Sequence, residues 1–164
     1  MPRLRFAALI FAAVAGAGCS TSSAAPDDAG TGTDDAPVVS CGTDPRVDTY
    51  TANMTKTSKS GAVKVTLVLS DPGPPTHGTN TWTLKVTDGA GVALVSPTVA
   101  VTPFMPDHGH GTSVRAVVTA QPDGTYSVTP LYLFMAGVWR VTIDVNVGDA
   151  AAPESVAFFF CVAG

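Results

Sequence analysis

The sequence predicts an all-β domain, an antiparallel sandwich of about seven strands, on three observations. Apolar and polar residues alternate with a period of two in one run after another, the spacing that puts every second side chain on one face of a strand. Gly, Pro, Asn and Asp fall between those runs as punctuation. No window carries a sustained apolar repeat at about 3.6 residues, so a helix would have no stripe to bury.

Ahead of that domain the chain reads differently. Residues 1–18 carry Arg3 and Arg5, then an apolar, small-residue run over 6–18, then Cys19. This is the pattern of an export signal. A transmembrane helix is the competing reading, but the run is shorter than the ~20 residues that a bilayer core requires. Ala15-Gly16-Ala17-Gly18-Cys19 resembles the lipobox of bacterial lipoproteins, although Leu is usual where Gly16 stands. The resemblance implies acylation of Cys19 by more than one chain, which is what stable anchoring needs. A plain secretory signal with an incidental cysteine is the alternative.

Residues 19–40 are expected to be the lipidated N-terminus and an acidic linker of Ser, Thr, Ala, Gly, Pro and Asp. So little of it is apolar that burial cannot offset the entropy of ordering, so a disordered tether is expected. Asp27, Asp28, Asp34 and Asp35 would extend it away from an anionic membrane surface. Residues 41–164 are left for the domain, enough for one hydrophobic core and too few for two. Setting aside the tether's aspartates and the signal's arginines leaves nine acidic and seven basic side chains, so no basic surface argues for nucleic acid. Cys41 and Cys161 are the two cysteines beyond Cys19. An even pair in an oxidising compartment is expected to bond. In the chain-entropy model such a bridge contributes roughly 4 to 5 kcal/mol.

The strands follow in order. Val63, Val65, Leu67 and Leu69 alternate with Lys64, Thr66 and Val68. Trp82, Leu84 and Val86 repeat the pattern, and Asp88-Gly89 follows as a turn. Further runs cover residues 98–104, 112–120, 125–130 or slightly beyond, 138–147 and 154–162. The clearest puts Trp139, Val141, Ile143, Val145 and Val147 on one face, with Arg140, Thr142, Asp144 and Asn146 on the other. Trp82 and Trp139 fall in the inward register and are expected in the core. This count of short strands favours an immunoglobulin-like or fibronectin type III-like sandwich, with a small barrel of cupredoxin type as runner-up.

One passage departs from strand grammar, Thr102-Pro103-Phe104-Met105-Pro106-Asp107-His108-Gly109-His110-Gly111-Thr112. It is expected to be a loop, and loops on a rigid sandwich are where function concentrates. His108 and His110 are separated by one glycine, so an extended segment would project both imidazoles from one side. Met105 is close enough to add its thioether. Two imidazoles and a thioether are a mixed soft set that favours copper, Cu(I) above all, over Mg²⁺ or Ca²⁺. Zinc is less natural with a Met ligand. Met135, just before the strongest strand, is a fourth ligand if a turn brings it to the same end, or a filler of the core. His77, in a Pro- and Gly-rich loop, reads as a solvated histidine. The bland alternative for the whole passage is a turn that Pro, Asp and His merely stabilise.

Met105-Pro106-Asp107-His108-Gly109-His110-Gly111, with Phe134-Met135-Ala136-Gly137-Val138-Trp139 some way downstream, resembles the YtkA-like domain family and more distantly FixH-type periplasmic domains. The likeness covers residues 63–162. It implies an immunoglobulin-like sandwich in envelope proteins, often lipoproteins, with a link to copper handling and Met105, His108, His110 and Met135 as candidate ligands. The acidic tether and the Cys41–Cys161 pair are not part of that motif.

Several chemistries lack their residues. A blue-copper carrier needs a cysteine thiolate beside a second His and Met, and only Val162, Ala163 and Gly164 follow Cys161. No nucleophile elbow, zinc-protease helix motif, phosphate loop or dinucleotide fingerprint occurs. The expectation is therefore a non-enzyme: a copper-binding accessory or carrier module, anchored to a membrane and facing the periplasm or exterior. A metal-free structural or interaction module contacting another envelope protein is the alternative.

Overall fold

The computed structural model describes residues 41–148 and 152–164. The signal segment, Cys19 and the tether lie outside the described residues. Among the described residues nine strands are present: β1 Met54–Thr57, β2 Val63–Asp71, β3 Gly78–Asp88, β4 Thr98–Met105, β5 His110–Gly111, β6 Val118–Ala120, β7 Thr125–Leu133, β8 Gly137–Asn146 and β9 Glu154–Val162. Among the described residues there is no helix. Two antiparallel sheets, in the orders β1-β2-β3-β7-β6 and β5-β4-β8-β9, face one another as a sandwich. Neither sheet closes on itself, which removes the barrel reading.

The core is what the alternation demanded. Val63, Val65 and Leu67 of β2, with Trp82, Leu84 and Val86 of β3, face Trp139, Val141, Ile143 and Val145 of β8 and Phe158 and Phe160 of β9. Trp82 meets both phenylalanines edge-on, with ring centroids 6.1 and 5.6 Å away, an arrangement that matches a ring's positive edge to a neighbour's negative face. Both tryptophans are fully buried.

Four expectations need correction. Leu69 does not continue the inward face of β2: it is 50% exposed, while Ser70 is buried. The β2–β3 register shifts between Leu67 and Leu69, and one extra residue in a strand swaps the faces that follow. Residues 112–120 are not one strand. His110–Gly111 pairs with the end of β4, residues 112–117 cross between the sheets, and only Val118–Ala120 pairs with β7. Residues 102–112 are correspondingly less of a loop than expected, because 102–105 belong to β4 and 110–111 to β5. Finally, β1 has no counterpart in the sequence reading. Its four residues, Met54–Thr57, are half-buried and exposed by turns at the sheet edge, too short a run to carry a periodic signal.

The expected disulfide is present. Cys41 and Cys161 are bonded, with Cα atoms 5.3 Å apart across a sequence separation of 120. The bridge fastens the segment ahead of β1 to the last turn of chain in β9. In the same segment Asp48 accepts hydrogen bonds from Lys56 and from the Phe159 amide, so the entering chain is laid along β9.

Candidate metal centre

The strand directions bring four pieces of chain to one end of the sandwich: the β4–β5 turn, residues 134–136 between β7 and β8, the loop of His77 and the segment after Cys41. The β4–β5 turn is built by Pro106-Asp107-His108-Gly109. The Met105 carbonyl accepts from the amides of His108 (3.3 Å) and Gly109 (2.9 Å). Gly109 adopts φ +70°, a left-handed conformation that glycine takes without steric cost. That reversal sets Met105 directly opposite His110 in the ladder.

The two imidazoles are brought together, although not by an extended segment as expected. His108 is exposed on the turn and His110 half-buried in β5, and their ring centroids stand 5.6 Å apart at 56°. The His110 Nδ1 lies 3.1 Å from the Gly111 carbonyl oxygen. A carbonyl only accepts, so Nδ1 is the donor in this contact, which in a neutral ring leaves Nε2 as the lone-pair nitrogen, the arrangement typical of a metal-ligating histidine.

The sulfurs are placed differently from one another. Met105 is only 1% exposed and belongs to the core cluster. A Cβ on Gly137 would lie 2.7 Å from the Met105 Cε, so the absence of a side chain there makes room for the methyl. Met105 and His108 line one surface depression of about 350 Å³, together with Asp44, Asp107 and Gly137. Met135 is half-buried and lines a second depression, of about 490 Å³, with His110, Tyr132 and Phe134. The four sequence-derived candidates thus fall into two pairs, bridged by the contact between the two histidine rings.

Residues 134–136 are held in place from both sides. The Trp139 indole Nε1 donates to the Met135 carbonyl at 2.9 Å. His77 Nε2 donates to the Phe134 carbonyl at 2.7 Å, so His77 is a fastening residue and not merely a solvated one. Its own loop is stapled by buried Asn80, whose amide donates to the Thr76 carbonyl and whose oxygen accepts from the Thr76 amide. The Phe134 ring completes a wall beside the site, with centroids 5.6 Å from His110, 6.3 Å from Tyr132 and 5.8 Å from Trp139.

The turn itself is gripped by Arg46. Its guanidinium reaches Asp107 through Nη1 (2.7 Å) and Nη2 (2.8 Å), and Asp44 through Nε (2.9 Å) and Nη2 (2.6 Å). These hydrogen bonds hold the Asp44 carboxyl down to about 2 and the Asp107 carboxyl below the ordinary carboxylate range, and they raise the guanidinium further.

The donor set fits a soft ion. Two imidazoles sharing one ion through nitrogens at about 2.0 Å hold their centroids roughly 5 to 6 Å apart, and the observed separation lies in that interval. Among the described residues no three His, Cys, Asp or Glu side chains are placed to hold a metal ion together. Sequence reasoning missed Arg46, Asn80 and Gly137. Gly137 stood inside a recognised motif, but Arg46 is 61 positions from Asp107 and carries no local signal.

A family model described as YtkA-like matches residues 57–144. No curated protein matches the chain. Among solved structures, a copper-bound variant of FetP from uropathogenic Escherichia coli strain F11 aligns with a TM-score of 0.45 and 12% identity, over 68% of this chain and 95% of that one. FetP of the same strain as isolated, after recombinant expression in the periplasm of E. coli BL21(DE3), aligns with a TM-score of 0.45 and 13% identity, over 70% of this chain and 97% of that one.

Proposed function

This chain belongs to the YtkA-like family, and on that premise we propose that it is a lipid-anchored envelope protein whose sandwich binds copper, as Cu(I), at the His108–His110 end. It acts as an accessory or carrier module and performs no catalysis of its own. The observation that carries the reading is the pair of imidazoles 5.6 Å apart beside a buried thioether. Nitrogen and thioether donors suit Cu(I), which the hard oxygen-seeking cations do not match.

Each candidate has a stated part. His110 supplies Nε2 from a strand position fixed by its ladder partner, His108 supplies a ring from the exposed turn, and Met105 supplies sulfur from beneath. Met135 stands ready on the far side of His110. One exposed and one half-buried histidine give an ion an open approach, as delivery to a partner requires. Anchoring through acylated Cys19 would hold the protein at a membrane, and the acidic tether would leave the domain free to meet such a partner.

The test is Cu(I) uptake by the purified protein in competition with a chromogenic chelator. The wild-type chain retains copper at submicromolar free concentration, and His108→Ala with His110→Ala does not, while near-UV circular dichroism stays unchanged. Equal retention by both removes the proposal.

A metal-free interaction module is favoured by a different observation. Only two-residue β5 lies beyond β4 in its sheet, so most of the β4 edge faces a groove of about 710 Å³ between Val99 and Val118. An open edge invites strand addition by a partner. Crosslinking from this groove in cells, with no loss when both histidines are removed, would support that reading over copper.

A further inference from the structure

The depression that holds Met105 and His108 is also lined by two carboxylates, Asp44 and Asp107. Carboxylates are hard donors that Zn²⁺ and Mn²⁺ accept readily, and one imidazole with two of them would be an oxygen-and-nitrogen donor set were the three to converge, which as placed they do not. Yet neither carboxylate is free. All four of their oxygens lie 2.6 to 2.9 Å from a nitrogen of Arg46, and Asp44 Oδ1 also accepts from the Arg46 amide at 2.9 Å. A planar guanidinium with five donors is the side chain able to fork onto two carboxylates at once, and a lysine ammonium is not.

We infer that Arg46 is a specificity-determining residue: by occupying both oxygens of Asp44 and of Asp107, it withholds hard donors from the His108 side and leaves nitrogen and sulfur as the ligands on offer. Arg46 is not a metal ligand. It acts through the two aspartates, and it fixes the turn of His108 against the segment that begins at Cys41. The inference rests on the proposed metal site only in that an ion must reach His108.

The ion pairs are solvent-exposed, with Arg46 and Asp107 side chains at 39% and 50% accessibility, so their removal costs little stability. That makes the specificity readable without unfolding the domain. The experiment uses the full chain and two probes, Zn²⁺ against a chromophoric zinc chelator and Cu(I) against a chromogenic copper chelator. Arg46→Met is expected to raise zinc affinity about tenfold or more over wild type, because two carboxylates are released beside an imidazole, while Cu(I) affinity moves by less than about threefold. Adding Asp44→Asn and Asp107→Asn to Arg46→Met abolishes the zinc gain. Should Arg46→Met not fold, Arg46→Lys carries the test, since one ammonium cannot hold four oxygens and zinc affinity again rises. Zinc affinity unchanged in a folded variant of either kind overturns the inference. Failure of wild-type protein to take up Cu(I) removes the copper proposal alone, and a zinc gain in the variant would still establish the masking by Arg46.

Discussion

At the end of the sandwich that carries the histidines, the chain is fastened by contacts between residues 57, 61 and 120 positions apart: His77 to the Phe134 carbonyl, Arg46 to Asp107 and Cys41 to Cys161. At the opposite end the turns largely hold themselves. Asp88 Oδ1 accepts from the amides of Ala90 and Val92, and Asp123 Oδ1 accepts from the amide and hydroxyl of Thr125. Among the described residues, Ser60 to Glu154 is the long-range side-chain bond there. Local turn bonds close a hairpin wherever it lies. Long-range fastenings are needed when side chains from separate segments must keep a fixed relation, which is what the proposed metal site at the histidine end requires.

The largest expected effect separates the two ends at once. Replacing Cys41 and Cys161 by serine releases a loop of 120 residues and, in the chain-entropy model, lowers unfolding free energy by roughly 4 kcal/mol. Denaturant unfolding measures it, and copper uptake should weaken too because Cys41 lines the same depression as Met105 and His108. A loss of stability with uptake untouched would mean that the bridge serves the fold alone.

Next is Gly137→Ala. The added methyl meets the Met105 Cε at 2.7 Å, at a residue whose φ is +133°. A destabilisation of about 1 to 3 kcal/mol is expected, with displacement of Met105 visible as altered side-chain methyl shifts by NMR. Asp88→Ala at the other end removes two acceptor contacts to exposed amides and should cost about 1 kcal/mol. It should leave copper uptake as in wild type, and any weakening would break the contrast between the ends.

The smallest effect is acid-linked. The folded-state pKa of Asp44 is depressed to about 2, from 3.8. Stability from that carboxylate is therefore fully present above pH about 4 and is lost as pH falls towards about 2. Asp107 titrates in the same direction, held down by the Arg46 hydrogen bonds. Melting curves below pH 4 should thus fall less steeply in Arg46→Met than in wild type. Asp123 and Glu154 at the other end, lowered by Thr125 and Ser60, should contribute equally to both.

How much of this was legible in the sequence follows from the same contrast. The strands of residues 63–162 announce themselves through period-two alternation, and the Asp88-Gly89 turn through its composition. The disulfide follows from there being two cysteines left to pair. The β2 bulge was illegible, because Leu69 continues the alternation by residue type while the backbone inserts one residue against β3. Residues 112–117 alternate as a strand would but cross between sheets without a ladder. At the site, the His-Gly-His spacing gave the two rings, whereas Met105 in the core, Gly137 beneath it and Arg46 over the turn depend on tertiary neighbours that no local window contains.

The most direct test of copper binding at the fastened end is X-ray absorption at the copper edge on the Cu(I)-loaded chain. Two nitrogen scatterers at about 2.0 Å with sulfur at about 2.3 Å are expected, the nitrogen shell disappearing in the His108→Ala, His110→Ala variant. A spectrum that is the same in both proteins, or one with oxygen neighbours and no sulfur, would contradict it.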